Sequence, residues 1–217
     1  MTLRLHGYWR SGAAYRVRIA LALKGLEYEQ VAHDLRTGAQ GAEGYAALNP
    51  QKLVPALEVD GPETERLVLT QSGAIIEWLD ERFPDPPLLP PDPDGRAQVR
   101  AMVLLIAADI HPLHNLRILK SLKHDFGLDE ARSNAWVGRW MTEGLAALET
   151  AVRRHGRGFC HGDRPTIADC FLLPQLYSAA RFGVDTGGFP SLRAVADRAD
   201  ALPAFQAAHP AAQPDAD

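Results

Sequence analysis

The sequence has few cysteines, no excess of basic residues and no long apolar run. Its 217 residues include only Cys160 and Cys170, in neither a C-x-x-C nor a zinc-ligand pattern. This argues against a disulfide scaffold or structural zinc and predicts buried or inert thiols. The net charge of -4 lacks the basic balance typical of nucleic-acid-binding proteins. No segment approaches the ~20 apolar residues of a membrane span, and the first residues lack a signal-peptide run. We therefore expect a soluble, cytoplasmic protein that binds neither nucleic acid nor membrane.

Two common kinds of catalytic site are also missing. No serine lies in a G-x-S-x-G elbow, which argues against a Ser-His-Asp hydrolase. His111 and His114 stand close together, but two histidines do not make a metal centre by themselves. The sequence therefore predicts no metal site.

The pattern of the chain changes at a proline-rich stretch, residues 82–95, which contains six prolines. Strand and helix patterns alternate before it, and only helical patterns follow it. We predict an α/β domain over residues 1–83, a linker over 84–95 and an all-α domain over 96–217.

The first half opens with a strand, a helix and a second strand, which favours a parallel β-α-β unit. Predicted strands span residues 3–8 and 28–33, and a hairpin joins 54–59 to 67–69 through a turn at 60–61. Predicted helices span 13–24, 41–47, 71–83, 97–122, 130–153, 166–180 and 192–199. The alanine- and proline-rich ending predicts a loosely tethered terminus.

Three polar features stand at turns or helix starts in the first half. Ser11 opens the first helix, where it is either an N-cap or a donor to a bound anion. Pro55 in "NPQKLVPAL" is either an ordinary loop proline or a cis proline, which would leave the Val54 backbone groups available to an extended ligand. Gln71 and Ser72 in "TQSGAI" are either caps or anion donors.

Taken together, the strand-helix opening, "NPQKLVPAL", "QSGAIIEWL", the proline linker and the helical remainder resemble soluble glutathione transferases over essentially the whole chain. Three segments narrow the resemblance to the zeta class, which includes maleylacetoacetate and bacterial maleylpyruvate isomerases. These segments are "WRSGAAYRVRIALALKG", "DIHPLHNLRIL" and "GDRPTIADCFLLPQ". The resemblance implies a thioredoxin-like N-terminal domain, an all-helical C-terminal domain, glutathione as cofactor and a homodimer.

The resemblance also implies the site. Ser11 would hydrogen-bond the glutathione sulfur, Val54 would pair with the cysteinyl backbone, and Gln71 and Ser72 would hold the γ-glutamyl end. The residues implied to bind glutathione are Ser11, Gln40, Gln51, Val54, Pro55, Gln71, Ser72, His111 and Asn115. The residues implied in catalysis are Ser11, Arg10, Arg117 and Arg181. Many zeta enzymes have Ser-Ser-Cys where this chain has Ser11-Gly12-Ala13, so a mechanism that needs the second serine or the cysteine cannot operate here.

The implied reaction is cis-trans isomerisation of a small dianionic cis-enedioate, maleylpyruvate or maleylacetoacetate, through reversible addition of the glutathione thiolate. Arginine suits such carboxylates because its planar fork binds them bidentately. Two alternatives are a zeta-class transferase acting on α-haloacids and a non-catalytic glutathione-binding module. "TIAD" at residues 166–169 resembles the capping box of the helical domain, with a role in folding.

Overall fold

The computed structural model describes residues 1–61 and 64–217, and the side chains of residues 64 and 65 lie outside that description. The chain forms two compact units. One contains residues 1–87 together with 200–217, and we call it the sheet unit. The other contains residues 88–199, and we call it the helical unit. The predicted succession of an α/β part and an all-α part is confirmed.

The sheet unit is built on a four-stranded mixed sheet of order β2-β1-β3-β4. Its strands are β1 (Thr2–Gly7), β2 (Glu29–Ala32), β3 (Ala56–Gly61) and β4 (Thr64–Thr70). The predicted parallel pairing of β1 with β2 is confirmed, and β3 runs antiparallel to both β1 and β4. The predicted turn at residues 60–61 is wrong, because both residues belong to β3, and residues 62–63 lie outside the described residues.

Helices α1 (Gly12–Leu23), α2 (Glu43–Leu48) and α3 (Ser72–Arg82) complete the first part of this unit. Every residue of α1 from Ala14 to Leu21 is buried, because this helix is apolar around nearly its whole circumference. Arg16 and Arg18 are therefore buried as well. Arg16 is 3% exposed, so its guanidinium does not extend to solvent, and its Nη1 donates to the buried Ser72 hydroxyl at 3.3 Å.

The helical unit contains α4 (Pro93–Leu104), α5 (Leu116–His124), α6 (Glu130–His155), α7 (Ile167–Arg181) and α8 (Pro190–Asp200, whose last residue belongs to the sheet unit). A single helix over 97–122 is wrong. A π-helical segment, Leu105–Ile110, and a 3-10 segment, His111–His114, separate α4 from α5. Pro112 lacks the backbone N–H that a continuing helix needs, which accounts for the break.

One helical run, Pro93–His124, is long and apolar enough to cross a membrane by length and composition alone. The run is divided into α4, the π segment, the 3-10 segment and α5. Val99, Met102, Ile106 and Ile110 along it are buried within the protein. Packing against the unit's own core accounts for part of this apolar character, whereas Leu104 and Leu116 on the same run are exposed.

The division into units differs from the predicted boundaries at the linker and at the C-terminus. Lys24 at the end of α1 donates to Asp80 and to the carbonyls of Phe83 and Pro86, which ties the first linker residues to the sheet unit. Helix α9 (Pro203–Ala208) packs against α1. The tail is therefore anchored to the sheet unit, and the expectation of a loosely tethered terminus is wrong.

A chain of buried and half-buried titratable side chains connects the sheet to α2. His6 on β1 is 2.6 Å from Glu58 on β3 through Nε2 and 2.9 Å from His33 through Nδ1. The His33 ring stacks obliquely against Tyr45 of α2 at 4.3 Å. Burial and the adjacent His6 lower the pKa of His33. Burial opposes ionisation of Glu58, but hydrogen bonds from His6 and Arg66 outweigh it and lower its pKa.

Acidification is expected to destabilise the protein partly through His33. Because its folded-state pKa is lowered, the unfolded chain binds this proton more readily, and stability is lost as pH falls through the unfolded value of about 6.5. We expect the free energy of unfolding, measured in urea at about pH 8 and about pH 5.5, to fall less in His33→Asn than in the parent. His124→Asn, at an exposed position on α5, is the control and should retain the parental difference. An unchanged difference in His33→Asn would contradict this assignment.

The start of α7 is organised by Asp169, as the capping box predicted. Its Oδ2 accepts from the Thr166 backbone N–H at 2.7 Å and from the Thr166 hydroxyl at 2.9 Å. Its Oδ1 accepts from the Cys160 N–H at 2.8 Å, so the carboxylate also fixes the preceding loop. Cys160 and Cys170 are both buried, as predicted, and burial, with Asp169 alongside, raises the pKa of Cys160.

Asp169→Asn is expected to lower the free energy of unfolding by about 2–4 kcal/mol, because an amide NH₂ would face buried donors in a site that is closed to water. Urea unfolding monitored by circular dichroism measures this loss. The matched control is Asp163→Asn at an exposed position, where a change within about 0.5 kcal/mol is expected. A loss below about 1 kcal/mol for Asp169→Asn would contradict the role of the carboxylate.

Candidate functional site

Ser11 is the N-cap of α1 and follows a turn at the end of β1. Its N–H donates to the Tyr8 carbonyl at 2.9 Å, which closes the turn over residues 8–11, hereafter the β1–α1 turn. Its Oγ accepts from the Ala14 N–H at 3.2 Å. A serine hydroxyl that accepts this bond still has its own O–H to donate. The geometry thus fits the N-cap interpretation and is compatible with an anion donor at the same atom.

Arg10 occupies the β1–α1 turn directly before Ser11. Its guanidinium carbon lies 5.3 Å from the centre of the Trp9 ring, and the residue is half-buried. The turn therefore brings one cation and one hydroxyl to the positive end of α1.

The Val54–Pro55 peptide bond is cis and lies immediately before β3. Within the described ranges, no hydrogen bond engages the N–H or C=O of Val54. The carbonyl of the preceding residue is held by Tyr45 and Asn49, so the adjacent backbone is fixed. These features leave the Val54 backbone groups able to pair with an extended peptide.

Gln71 and Ser72 open α3 in an unusual backbone conformation. Gln71 has φ 67° and ψ 113°, in a region that non-glycine residues rarely adopt. Its side chain does not cap the helix; Nε2 instead donates to Gln51 Oε1 at 2.6 Å. Such local strain is typical of ligand sites, so Gln51, Gln71 and Ser72 form one candidate group in the sheet unit.

Sequence reasoning missed Arg16 as a member of this group. Burial lowers the pKa of Arg16 to about 9, and its bond to the Ser72 hydroxyl joins α1 to the start of α3. One signal was available in the sequence: a helix with no polar face is buried all round, so a cation on it must be held inside the protein.

The remaining predicted residues lie in the helical unit. The rings of His111 and His114 on the 3-10 segment lie edge to face, with their centres 5.0 Å apart. Asn115 lies outside the 3-10 segment, contrary to the predicted single helix over residues 97–122. Its backbone is extended at the N-cap of α5, where Oδ1 accepts from the Arg117 N–H at 3.2 Å. Its side chain is thus used for capping.

Arg181 ends α7 at an exposed position, with its guanidinium carbon 5.7 Å from the Phe182 ring and 5.9 Å from the Tyr177 ring. The Phe182 ring lies 5.8 Å from His114. Arg181, Phe182, His114 and His111 therefore form a continuous cluster, and Arg117 is exposed on α5. Among the described residues, no group of three or more His, Cys, Asp or Glu could hold a metal ion.

Both parts of the chain match family models of glutathione S-transferases. Residues 1–81 match the N-terminal domain model, and residues 116–207 match the C-terminal domain model. The chain is 49% identical over 216 residues to a maleylpyruvate isomerase of a Ralstonia species, covering 98% of this chain and 99% of that protein.

Solved structures agree with these matches. One is the holo structure of a maleylpyruvate isomerase, described as a bacterial zeta-class glutathione S-transferase. Its TM-score is 0.93 at 47% identity, and the alignment covers 99% of this chain and 100% of that chain. A maleylacetoacetate isomerase from Anaeromyxobacter dehalogenans, with glutathione in its active site, has a TM-score of 0.91 at 49% identity and covers 100% of this chain and 98% of its own. This chain therefore belongs to the zeta class of the glutathione S-transferase family.

Proposed function

We propose that this protein is a glutathione-dependent cis-trans isomerase of small cis-enedioate dianions, maleylpyruvate or maleylacetoacetate, formed during the degradation of aromatic compounds. Ser11 carries the proposal, because its hydroxyl is at the helix N-terminus, accepts one amide and retains a proton to donate. The names of the relatives support the reaction class. Relatives of both names are about equally similar to this chain, so both substrates belong to the proposal.

The residues of the sheet unit fit glutathione. The Oε1 atom of Gln40 is buried and, among the described residues, has no hydrogen-bond partner, so it can accept from a ligand N–H. Val54 offers both its backbone groups, and Gln71 and Ser72 offer polar groups beside the positive end of α3. We infer that Gln40, Gln51, Val54, Pro55, Gln71 and Ser72 hold the tripeptide. His111 and Asn115 are proposed as further contacts.

When bound, glutathione supplies a nucleophilic thiolate for reversible addition to the conjugated cis double bond. Ser11 is proposed to donate its hydroxyl to that sulfur, in addition to the favourable field of the α1 amides. A free thiol has a pKa of about 8.5, which a helix N-terminus and a donor lower by a unit or more, so the ionised fraction near neutral pH rises from a few per cent to a substantial share.

The proposed role of the arginines is to bind the charge of the substrate. Arg10, Arg117 and Arg181 are assigned to the two carboxylates and the keto or enol oxygen, since a guanidinium binds a carboxylate bidentately. Arg181 has a defined setting for this role, because Tyr177 and Phe182 lie against its guanidinium. Aromatic contacts of this kind limit the orientations of the fork.

Assays of purified protein with maleylpyruvate and with maleylacetoacetate, each with and without glutathione, test the proposal. We expect isomerisation of at least one substrate that depends on glutathione and returns it unconsumed. Chloroacetate is included because an α-haloacid transferase was the alternative. Conjugation of chloroacetate without isomerisation of either dianion would contradict the proposed function, as would isomerisation that does not need glutathione.

We also propose a homodimer in the cytoplasm, on the basis of the family. Sedimentation velocity would test the first point, and fractionation of the source cells would test the second.

A further inference from the structure

The β1–α1 turn has backbone groups that its own hydrogen bond leaves without partners. The single closing bond uses the Ser11 N–H and the Tyr8 carbonyl. The N–H and C=O of Trp9, at the first central position of the turn, must therefore be held by groups outside it, because Trp9 is buried.

Two side chains from outside the turn hold the Trp9 peptide groups, and one of them, Asp215, is distant in sequence. Asp215, in the C-terminal tail, accepts from the Trp9 N–H through Oδ2 at 2.9 Å. Arg18 on α1 is 1% exposed and donates to the Trp9 carbonyl from Nη2 at 2.9 Å. The residue before Arg10 and Ser11 is thus fixed from both sides.

The tail that carries Asp215 is itself anchored. Arg18 also donates from Nε to the Ala208 carbonyl of α9 at 3.0 Å, so one guanidinium binds both the turn and the tail. Gln213, which is buried, donates to the carbonyls of Ala207 and His209. Gln30 on β2 donates to the second oxygen of Asp215 at 2.5 Å, which orients the carboxylate towards Trp9.

We propose that Asp215, at the end of the chain, is a positioning residue for Ser11 and Arg10. It has no assigned contact with a ligand; it acts by fixing the Trp9 peptide so that the hydroxyl and the guanidinium face the site in one orientation. The inference rests on the proposed role of Ser11. Displacements on the order of 1 Å in a catalytic group can cost large factors in rate, so a weakly held turn would impair thiol activation without abolishing folding.

The test compares Asp215→Ala with Asp217→Ala. Asp217 lies two residues further along the same tail and pairs with Arg36, whose guanidinium carbon is 6.0 Å from the Tyr8 ring. The control therefore removes the same charge nearby and leaves both hydrogen bonds to the Trp9 peptide groups in place. In the binary complex with glutathione, we expect Asp215→Ala to raise the thiol pKa, followed by thiolate ultraviolet absorbance, by about half a unit to one unit. The glutathione Kd, measured at about pH 6 where the thiol is mostly protonated, should stay within about twofold. Asp217→Ala should retain the parental pKa.

Two further measurements separate positioning from a general structural role. In the ligand-free protein, hydrogen exchange at the amides of residues 9–11 should be faster in Asp215→Ala and unchanged in Asp217→Ala. In a double-mutant cycle, Ser11→Ala combined with Asp215→Ala should shift the thiol pKa no further than Ser11→Ala alone, because Asp215 acts through Ser11. If Asp215→Ala does not fold, Asp215→Asn replaces it; this variant keeps one acceptor oxygen and should give an intermediate shift.

The outcomes distinguish this inference from the proposed function. If Ser11→Ala shifts the thiol pKa and folded Asp215→Ala does not, the positioning role is overturned and the role of Ser11 stands. Full additivity in the double variant would also overturn it. If Ser11→Ala leaves the thiol pKa unchanged, the proposed role of Ser11 fails, and positioning through Ser11 fails with it.

Discussion

Ser11→Ala is expected to raise the pKa of the bound glutathione thiol by about one to two units, because a hydrogen bond to a charged group contributes about 1.5–3 kcal/mol. With a higher pKa, the thiolate fraction falls at every pH below the new value. Isomerisation at about pH 6.5 should therefore fall about 10- to 100-fold, and the loss should shrink as pH rises. Thiolate absorbance of the binary complex and the pH profile of kcat measure the two effects.

The control must separate the donor from the helix cap, because the Ser11 hydroxyl also accepts the Ala14 N–H. Ser11→Gly removes the hydroxyl but costs only a few tenths of a kcal/mol at an N-cap, whereas Ser11→Ala costs about 1 kcal/mol. If the hydroxyl acts on the thiol, both variants lose activity although only one loses appreciable stability. Retained activity in Ser11→Gly, or a loss in Ser11→Ala that is independent of pH, would contradict the donor role.

Arg181→Ala is expected to reduce kcat/KM for the dianionic substrate about 100-fold or more. The variant would lose the proposed bidentate ion pair between the guanidinium and a substrate carboxylate. The affinity for glutathione should change less than about threefold, since the tripeptide is assigned to other residues. Steady-state kinetics with the dianion and calorimetric titration with glutathione measure the two quantities.

Two variants control this second prediction. Arg181→Lys keeps the charge and loses the fork, so it should recover only part of the activity. Arg193→Ala removes an exposed arginine of α8 and should leave both quantities near the parental values. Equal losses of dianion turnover and glutathione affinity in Arg181→Ala would place Arg181 outside the substrate site.

Features that depend on neighbouring residues were predicted well. The β-α-β opening follows from local hydrophobic periodicity, and the capping box at Thr166 and Asp169 follows from a four-residue spacing. The break between α4 and α5 was not predicted, although Pro112 was visible. The apolar residues keep a nearly helical spacing through residues 97–122, and this periodicity outweighed the helix-breaking signal of the proline in the prediction.

Some features of the candidate site could likewise be predicted from local sequence, and others could not. Ser11, Pro55, Gln71 and Ser72 could be selected because each stands at a turn or helix start that the sequence marks. The positive φ of Gln71 could not be predicted, because non-glycine residues adopt such values only when the surrounding structure imposes them.

By itself, the sequence determined the two halves of the protein, the family resemblance and the placement of a serine at the mouth of the first helix. Only the tertiary structure decided which groups the buried arginines bind and where the C-terminal segment packs. Arg16 and Arg18 cannot stay charged inside the protein without polar partners, and those partners include Ser72, Trp9 and Ala208. The C-terminal segment lies against the β1–α1 turn, where Asp215 accepts the Trp9 N–H, which would otherwise be buried without an acceptor. No local pattern encodes a pairing across that separation.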